Sequence, residues 1–204
     1  MNTGLQTHPR RAGRARDPLI DARILAVARE QLSASGYDAM SLTAVAHAAG
    51  TTRQALYRRW ATKADLAAAV VAETVDTGED AATDAPYEDL VAELDNFRRG
   101  VSRPGRLSLV GTMLQDNTSP ELRSRYQDQV IAPRRARLRG YLLRAQQLGL
   151  IDANADLEVA VTLCTGSWYA RALAGISPPQ DWPRRTATLV WRAVGGTPPT
   201  SARG

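Results

Sequence analysis

From Asp17 to about residue 194, apolar residues recur every three or four positions, and the runs are bounded by residues that cap or break helices. Ile20, Ile24, Val27 or Ala28, and Leu32 mark the first run; Asp17 and Pro18 open it and Gly36 stops it. Ser41 or Leu42 opens a short helix ending near Ala49, and Gly50 turns the chain. Thr52 caps a second short helix to about Trp60, and Thr62 caps another from Lys63 to roughly Thr77. After a Gly/Asp/Ala/Thr/Pro stretch at 78–86, five more helical segments are predicted. They lie near 87–102, 105–115, 119–148 (kinked at Pro133), 155–174 and 181–194. No stretch alternates with period two, so no sheet is expected. The predicted fold is all-α with about nine helices. A three-helix head spans 17–66 and a larger helical body 67–195, flanked by a flexible basic arm, 1–16, and a frayed tail, 196–204.

Composition narrows the chemistry. Hydrophobic residues make up 44%, enough for a substantial core. Cys164 is the only cysteine and His8 and His47 the only histidines, which excludes a disulfide within the chain and an ordinary zinc site. A carboxylate-bridged metal bundle needs Glu-x-x-His pairs, and neither histidine has one. Phosphate-loop, dinucleotide and nucleophile-elbow glycine patterns are also missing. No catalytic residue, cofactor or metal is therefore expected, and a helical-bundle enzyme is only a remote alternative. The N-terminus has no apolar segment of signal-peptide type, and the longest apolar run, Leu66 to Ala72, is too short to span a bilayer. A cytoplasmic protein without a membrane partner is expected.

Charge is unevenly spread. Of the net +5, all falls in residues 1–66, where ten basic residues face five acids; the rest balances sixteen against sixteen. A basic head on a neutral body is the footprint of a polyanion-binding module, the alternative being a solvated surface. Within it, Ser41 to Leu66 has the layout of a helix-turn-helix. Ala46 and Ala49 let two short helices approach, Gly50 permits a left-handed turn, and Val45, Leu56 and Trp60 face inward. Arg53, Gln54, Tyr57 and Arg58 are left pointing outward. Arg and Gln are the types that read guanine and adenine edges, and exposed Tyr and Arg suit phosphates.

In this segment the chain resembles the TetR family. The likeness runs through Ile24-Leu25, Ala28, Gly36, Val45-Ala46, Ala49-Gly50 and Leu56-Tyr57 to an aromatic at Trp60, Lys63 and Leu66. Beyond this it rests on helix count and on Arg137 to Leu150, which is similar to a helix in the C-terminal domain of many members. Thr51, Gln31 and Trp60 depart from the residues commonest at their positions. The resemblance implies a homodimeric transcription regulator, a repressor on palindromic double-stranded operator DNA, released by a small-molecule effector. Arg53 and Gln54 would contact bases; Thr43, Thr52, Tyr57, Arg58 and Lys63 would hold phosphates. Lys63 is the chain's only lysine. Arg14 and Arg16 suit a minor-groove arm.

For the body, the resemblance implies a ligand pocket and an intersubunit face on the last two helices. Phe97, Met113, Tyr126, Tyr141, Cys164 and Trp168 are the residue types an apolar effector cavity shows. Gly166, Ala170, Trp182, Leu189 and Trp191 are the candidates for the dimer interface; the alternative for the tryptophans is the protomer's own core. Glu88, Asp89, Glu93 and Asp95 are expected on solvated faces. A body that binds a protein partner instead of a small molecule is the other reading.

Overall fold

The computed structural model describes residues 18–72, 83–103, 110–111, 113–114 and 119–199. The basic arm, most of the segment expected at 105–115, and the end of the tail lie outside these residues. Among the described residues, the regular structure is entirely helical. The N-terminal part comprises α1 (Pro18–Ala39), α2 (Leu42–Ala48), α3 (Arg53–Tyr57) and α4 (Lys63–Ala72). The C-terminal part comprises α5 (Pro86–Val101), α6 (Pro120–Tyr126), α7 (Ala132–Gln147), α8 (Leu157–Leu173) and α9 (Trp182–Ala193). No described helix is long and apolar enough to cross a membrane.

The caps fall where the sequence puts them. Ser41 accepts from Ala44 N–H and Thr52 from Ala55 N–H, each satisfying an amide of a first turn. Thr62 and Asp65 form a reciprocal pair: Asp65 N–H donates to the Thr62 hydroxyl at 3.0 Å, and Thr62 N–H to the Asp65 carboxylate at 3.1 Å. Gly36 interrupts α1 with φ 79° and ψ 179°, but the chain resumes a turn and reaches Ala39. The third helix is shorter than expected, closing at Tyr57, because Arg59 N–H and Trp60 N–H both return to the Leu56 carbonyl.

Pro133 does not bend the chain into separate helices. Gln127–Ile131 forms a π-helical turn, in which Ala132 N–H reaches the Gln127 carbonyl five residues back. Pro133 has no N–H to give to the carbonyl four residues before it, so the irregularity sits in the turn it fails to complete. α6, this turn and α7 thus follow one another as continuous helix.

Two cores result. Ile24, Ala28, Leu32, Val45, Leu56 and Leu66 anchor the N-terminal one, and Leu122 of α6 inserts into it. The C-terminal core is built by α5, α7, α8 and α9 around edge-to-face aromatics. Trp168 and Trp182 lie 5.0 Å apart at 78°, and Tyr87 and Trp191 5.3 Å apart at 84°. After α9 the chain runs against this core: a Cβ on Gly196 would lie 2.5 Å from the Trp191 ring. Between the two cores, Tyr126 and Val130 form a small cluster with half-buried Val110, Met113 and Ile131.

Candidate nucleic-acid interface

The helix-turn-helix is assembled from small residues and one left-handed glycine. Ala46 and Ala49 are buried where α2 and α3 meet, and Gly50 turns at φ 66°, with Thr51 N–H closing onto the Ala46 carbonyl at 2.9 Å. A larger residue at 46 or 49 would force the short helices apart. Leu56 points into the core and Trp60 packs against it half-buried.

The opposite side of α3 is solvent-facing. Thr43, Thr52, Arg53, Gln54, Tyr57 and Arg58 are all exposed. Thr52 accepts with its hydroxyl oxygen as the cap of α3, which leaves its O–H to donate. Arg53 donates to the Tyr57 hydroxyl at 3.1 Å and lies over that ring, 5.3 Å from its centroid. Lys63, the remaining residue expected at a phosphate, is engaged within the chain. Its ammonium donates to the Asp38 carbonyl at 2.9 Å and sits 4.6 Å from the Tyr37 centroid; burial holds its pKa below the ordinary lysine value. One of three donors is used, so it ties α4 to the end of α1 and keeps donors to spare.

Three supports of this surface have no simple sequence signal. Arg59 bridges α3 to α1, donating through Nε to Asp21 and through a terminal nitrogen to the Ala55 carbonyl at 3.1 Å. Gln31 accepts from Ser41 N–H at 3.1 Å, taking from a neighbouring helix the role a capping-box residue plays locally. Asp65 pairs with Arg125 of α6 at 2.8 Å while it caps α4. Each depends on residues distant in sequence, or on two functions shared by one carboxylate.

In the C-terminal part, Phe97, Cys164 and Trp168 come together in the core. Tyr126 and Met113 belong to the small cluster between the cores, and Tyr141 is buried on α7. Burial pushes the Cys164 thiol up to about 12. Of the residues offered for the interface, Trp182 and Trp191 are 3% and 2% exposed and pack in the protomer's own core, Trp182 also lining the groove between α8 and α9. Leu189 and Ala170 are exposed and Gly166 half-buried. A groove of about 380 Å³ runs between α8 and α9, lined by Leu163, Ser167, Arg171, Leu189 and Ala193 among others. Leu163 is 49% and Leu189 66% exposed there.

Glu93 is a further correction. It is 6% exposed, and both of its oxygens accept from arginines of α7. Arg137 donates to both oxygens, at 3.0 and 2.9 Å, and Arg134 through Nε to one, at 3.2 Å. Glu88 and Asp95 are on the outside as expected, paired with Arg184 and with Arg98 and Arg99.

This architecture has close parallels. A family described as "Bacterial regulatory proteins, tetR family" matches residues 24–70, and one described as "Tetracyclin repressor-like, C-terminal domain" matches residues 80–190. The chain is 29% identical over 198 residues to an uncharacterized HTH-type transcriptional regulator, YdeS, of Bacillus subtilis, covering 93% of this chain and 96% of that one. Among solved structures, the TetR family transcription regulator SCO0332 is 28% identical with a TM-score of 0.59, over 88% of this chain and 99% of that one. A TetR transcriptional regulator from Agrobacterium tumefaciens shares the fold at 17% identity, with a TM-score of 0.66 and coverage of 86% and 94%. FadR from Bacillus subtilis, solved with stearoyl-CoA, shares it at 19% identity, with a TM-score of 0.62 and coverage of 87% and 99%. The helix-turn-helix over Ser41 to Leu66 and the helical body behind it each match a model of the same family, and the chain belongs to the TetR family of bacterial transcriptional regulators.

Proposed function

We propose that the protein acts as a homodimeric repressor on palindromic operator DNA, and that a small, mostly apolar effector in its body releases it. The observation that carries the DNA reading is the exposed row Thr52, Arg53, Gln54, Tyr57 and Arg58 on a short helix held rigidly from beneath. Arg53 and Gln54 read base edges; Thr43, Thr52, Tyr57, Arg58 and Lys63 hold phosphates. One head contacts few base pairs, so two heads on half-sites about 34–36 Å apart, or a multiple of that, supply the specificity.

The division of labour places reading in 17–66 and response in 67–195. α4 connects them, since it begins at Lys63 and is gripped by α6 through Leu122 and the Asp65–Arg125 pair. An effector that shifts α6 alters the position of Lys63 and the spacing of the heads. The groove between α8 and α9, with Leu163 and Leu189 exposed, supports the intersubunit face.

The test is selection of duplexes from a random pool, followed by binding with variants. Arg53→Ala should cost about 1–3 kcal/mol on the selected site and relax base preference, whereas Lys63→Ala should weaken all DNA alike. Equal losses for Arg53→Ala on selected and random DNA would remove that residue from the base edges.

A further inference from the structure

The ammonium of Lys63 rests on two groups from the last turn of α1, and that turn is itself firmly fixed. Gly36 breaks α1 at φ 79° and ψ 179°, a backbone open to glycine, and residues 37–39 form a separate turn beyond it. Met40 N–H closes the turn onto the Tyr37 carbonyl at 3.1 Å, and Met40 is only 3% exposed. Ser41 N–H then returns to the Gln31 side chain. Tyr37 is half-buried against the N-terminal core. Lys63, the first residue of α4, crosses to this turn: it donates to the Asp38 carbonyl at 2.9 Å, with its nitrogen 4.6 Å from the Tyr37 centroid.

An ordinary surface lysine samples many rotamers and loses that freedom when a phosphate takes it. Here much of the freedom is gone in the unbound protein, because the side chain is half-buried and its head has a carbonyl and an aromatic face. Solvation of the ammonium is incomplete. Burial disfavours the charge by more than the Asp38 carboxylate favours it, which holds the pKa below the ordinary lysine value. Among the described residues only one of its three donors has an acceptor, and phosphate oxygens are the acceptors that would complete the shell. Burial, and then the Glu121 and Asp38 carboxylates, raise the pKa of Tyr37. The ring therefore stays a neutral phenol and does not become a competing counter-ion.

We propose that Tyr37 is a positioning residue for DNA binding: its ring, with the Asp38 carbonyl, holds the Lys63 ammonium in place before a backbone phosphate arrives. Tyr37 itself touches no DNA in this arrangement and acts through Lys63. The inference rests on the reading of Lys63 as a phosphate contact and makes a separate claim about what sets its position.

The experiment uses the full chain isotope-labelled at the lysine Cε, which gives a single lysine signal because the chain has no other lysine. That signal should stand upfield of a solvated lysine in the unbound protein. It should stay there in Tyr37→Phe, which keeps the ring, and move to the ordinary position in Tyr37→Leu. Affinity is read by fluorescence anisotropy with a mixed-sequence duplex of about thirty base pairs. Tyr37→Leu should weaken binding about tenfold, about threefold from each of two heads, while Tyr37→Phe binds like the parent. In a Lys63→Met background the same Tyr37→Leu change should have no further effect, because no ammonium is left to position. A tyrosine that only packs the core would cost the same in both backgrounds, and that result overturns the proposal. So does a Tyr37→Phe protein that binds as poorly as Tyr37→Leu. If Tyr37→Leu fails to fold, the parent decides: its lysine signal should keep the upfield position when duplex is added. A return to the ordinary position would show that Lys63 leaves the ring to bind, and would end the positioning role. A Lys63→Met protein that binds like the parent would remove the phosphate contact and this inference with it. Loss in Lys63→Met with none in a folded Tyr37→Leu would leave the phosphate contact standing and overturn the positioning alone.

Discussion

Leu189→Arg separates association from folding. Leu189 is 66% exposed on the rim of the groove between α8 and α9, so the isolated protomer has little of it to lose. Burying a whole leucine is worth about 1.5–3 kcal/mol, and two-thirds of that is about 1–2 kcal/mol per copy. A two-fold axis counts each position twice, giving about 2–4 kcal/mol, or about 30- to 1000-fold in the dimer dissociation constant. The new guanidinium would also stand beside Arg171 and Arg185, which line the same groove, and like charges push the effect towards the upper end. The assay is sedimentation velocity across micromolar concentrations, with a thermal melt monitored by circular dichroism. A folded monomer is expected. Trp191→Arg is the instructive contrast: that ring is 2% exposed and packed edge-on to Tyr87. Its loss costs about 3–5 kcal/mol of protomer stability, and reduced association there would report unfolding. A Leu189→Arg protein that associates like the parent, or one that is unfolded when dilute, would refute the reasoning.

Other outcomes follow from residues already placed. Cys164, buried and with its pKa raised to about 12, should alkylate at about pH 8 with a native thiolate fraction near one in ten thousand. Iodoacetamide labelling at the rate of a free thiol would contradict its burial. Arg59→Met should weaken every duplex by about 1–2 kcal/mol without changing base preference, because it loosens α3 against α1 and touches no base; selection profiles of parent and variant test this. Gly196→Ala should lower the melting temperature, since its Cβ would sit 2.5 Å from the Trp191 ring and 2.8 Å from Ile151. An unchanged melt would show that the segment after α9 can lift away freely.

The local parts of the fold were legible because they are set by local chemistry. Ser41, Thr52 and Thr62 announce caps, and small residues at 46 and 49 before Gly50 announce the turn. Exposure of Arg53, Gln54 and Arg58 followed from helical spacing once Leu56 was placed inside. What the sequence hid depends on long-range pairing. Nothing near Glu93 distinguishes it from solvent-facing Glu88; its partners are 41 and 44 residues away. Tryptophan is equally at home in an interface or a core, and the choice for Trp182 and Trp191 was made by Trp168 and Tyr87 on other helices. Gln31 departs from the residue commonest at its position, and it completes a cap ten residues on.

The π turn at Gln127–Ile131 also records a phase relation. One residue added to an α-helix rotates everything beyond it by about 100° about the axis, and a widened turn absorbs that residue. Leu122 and Arg125 on one side of it are engaged with α4, while Leu138 and Leu142 on the other lie in the C-terminal core. Each side keeps its own facing only because the turn between them takes up the difference. Deleting a single residue from 127–131 should therefore close the wide turn into ordinary helix and leave both sets of contacts on their partners, whereas the same deletion within α6 or α7 would swing one set off. In this rod, length and phase are set independently, and the turn is where a register error would be created or corrected.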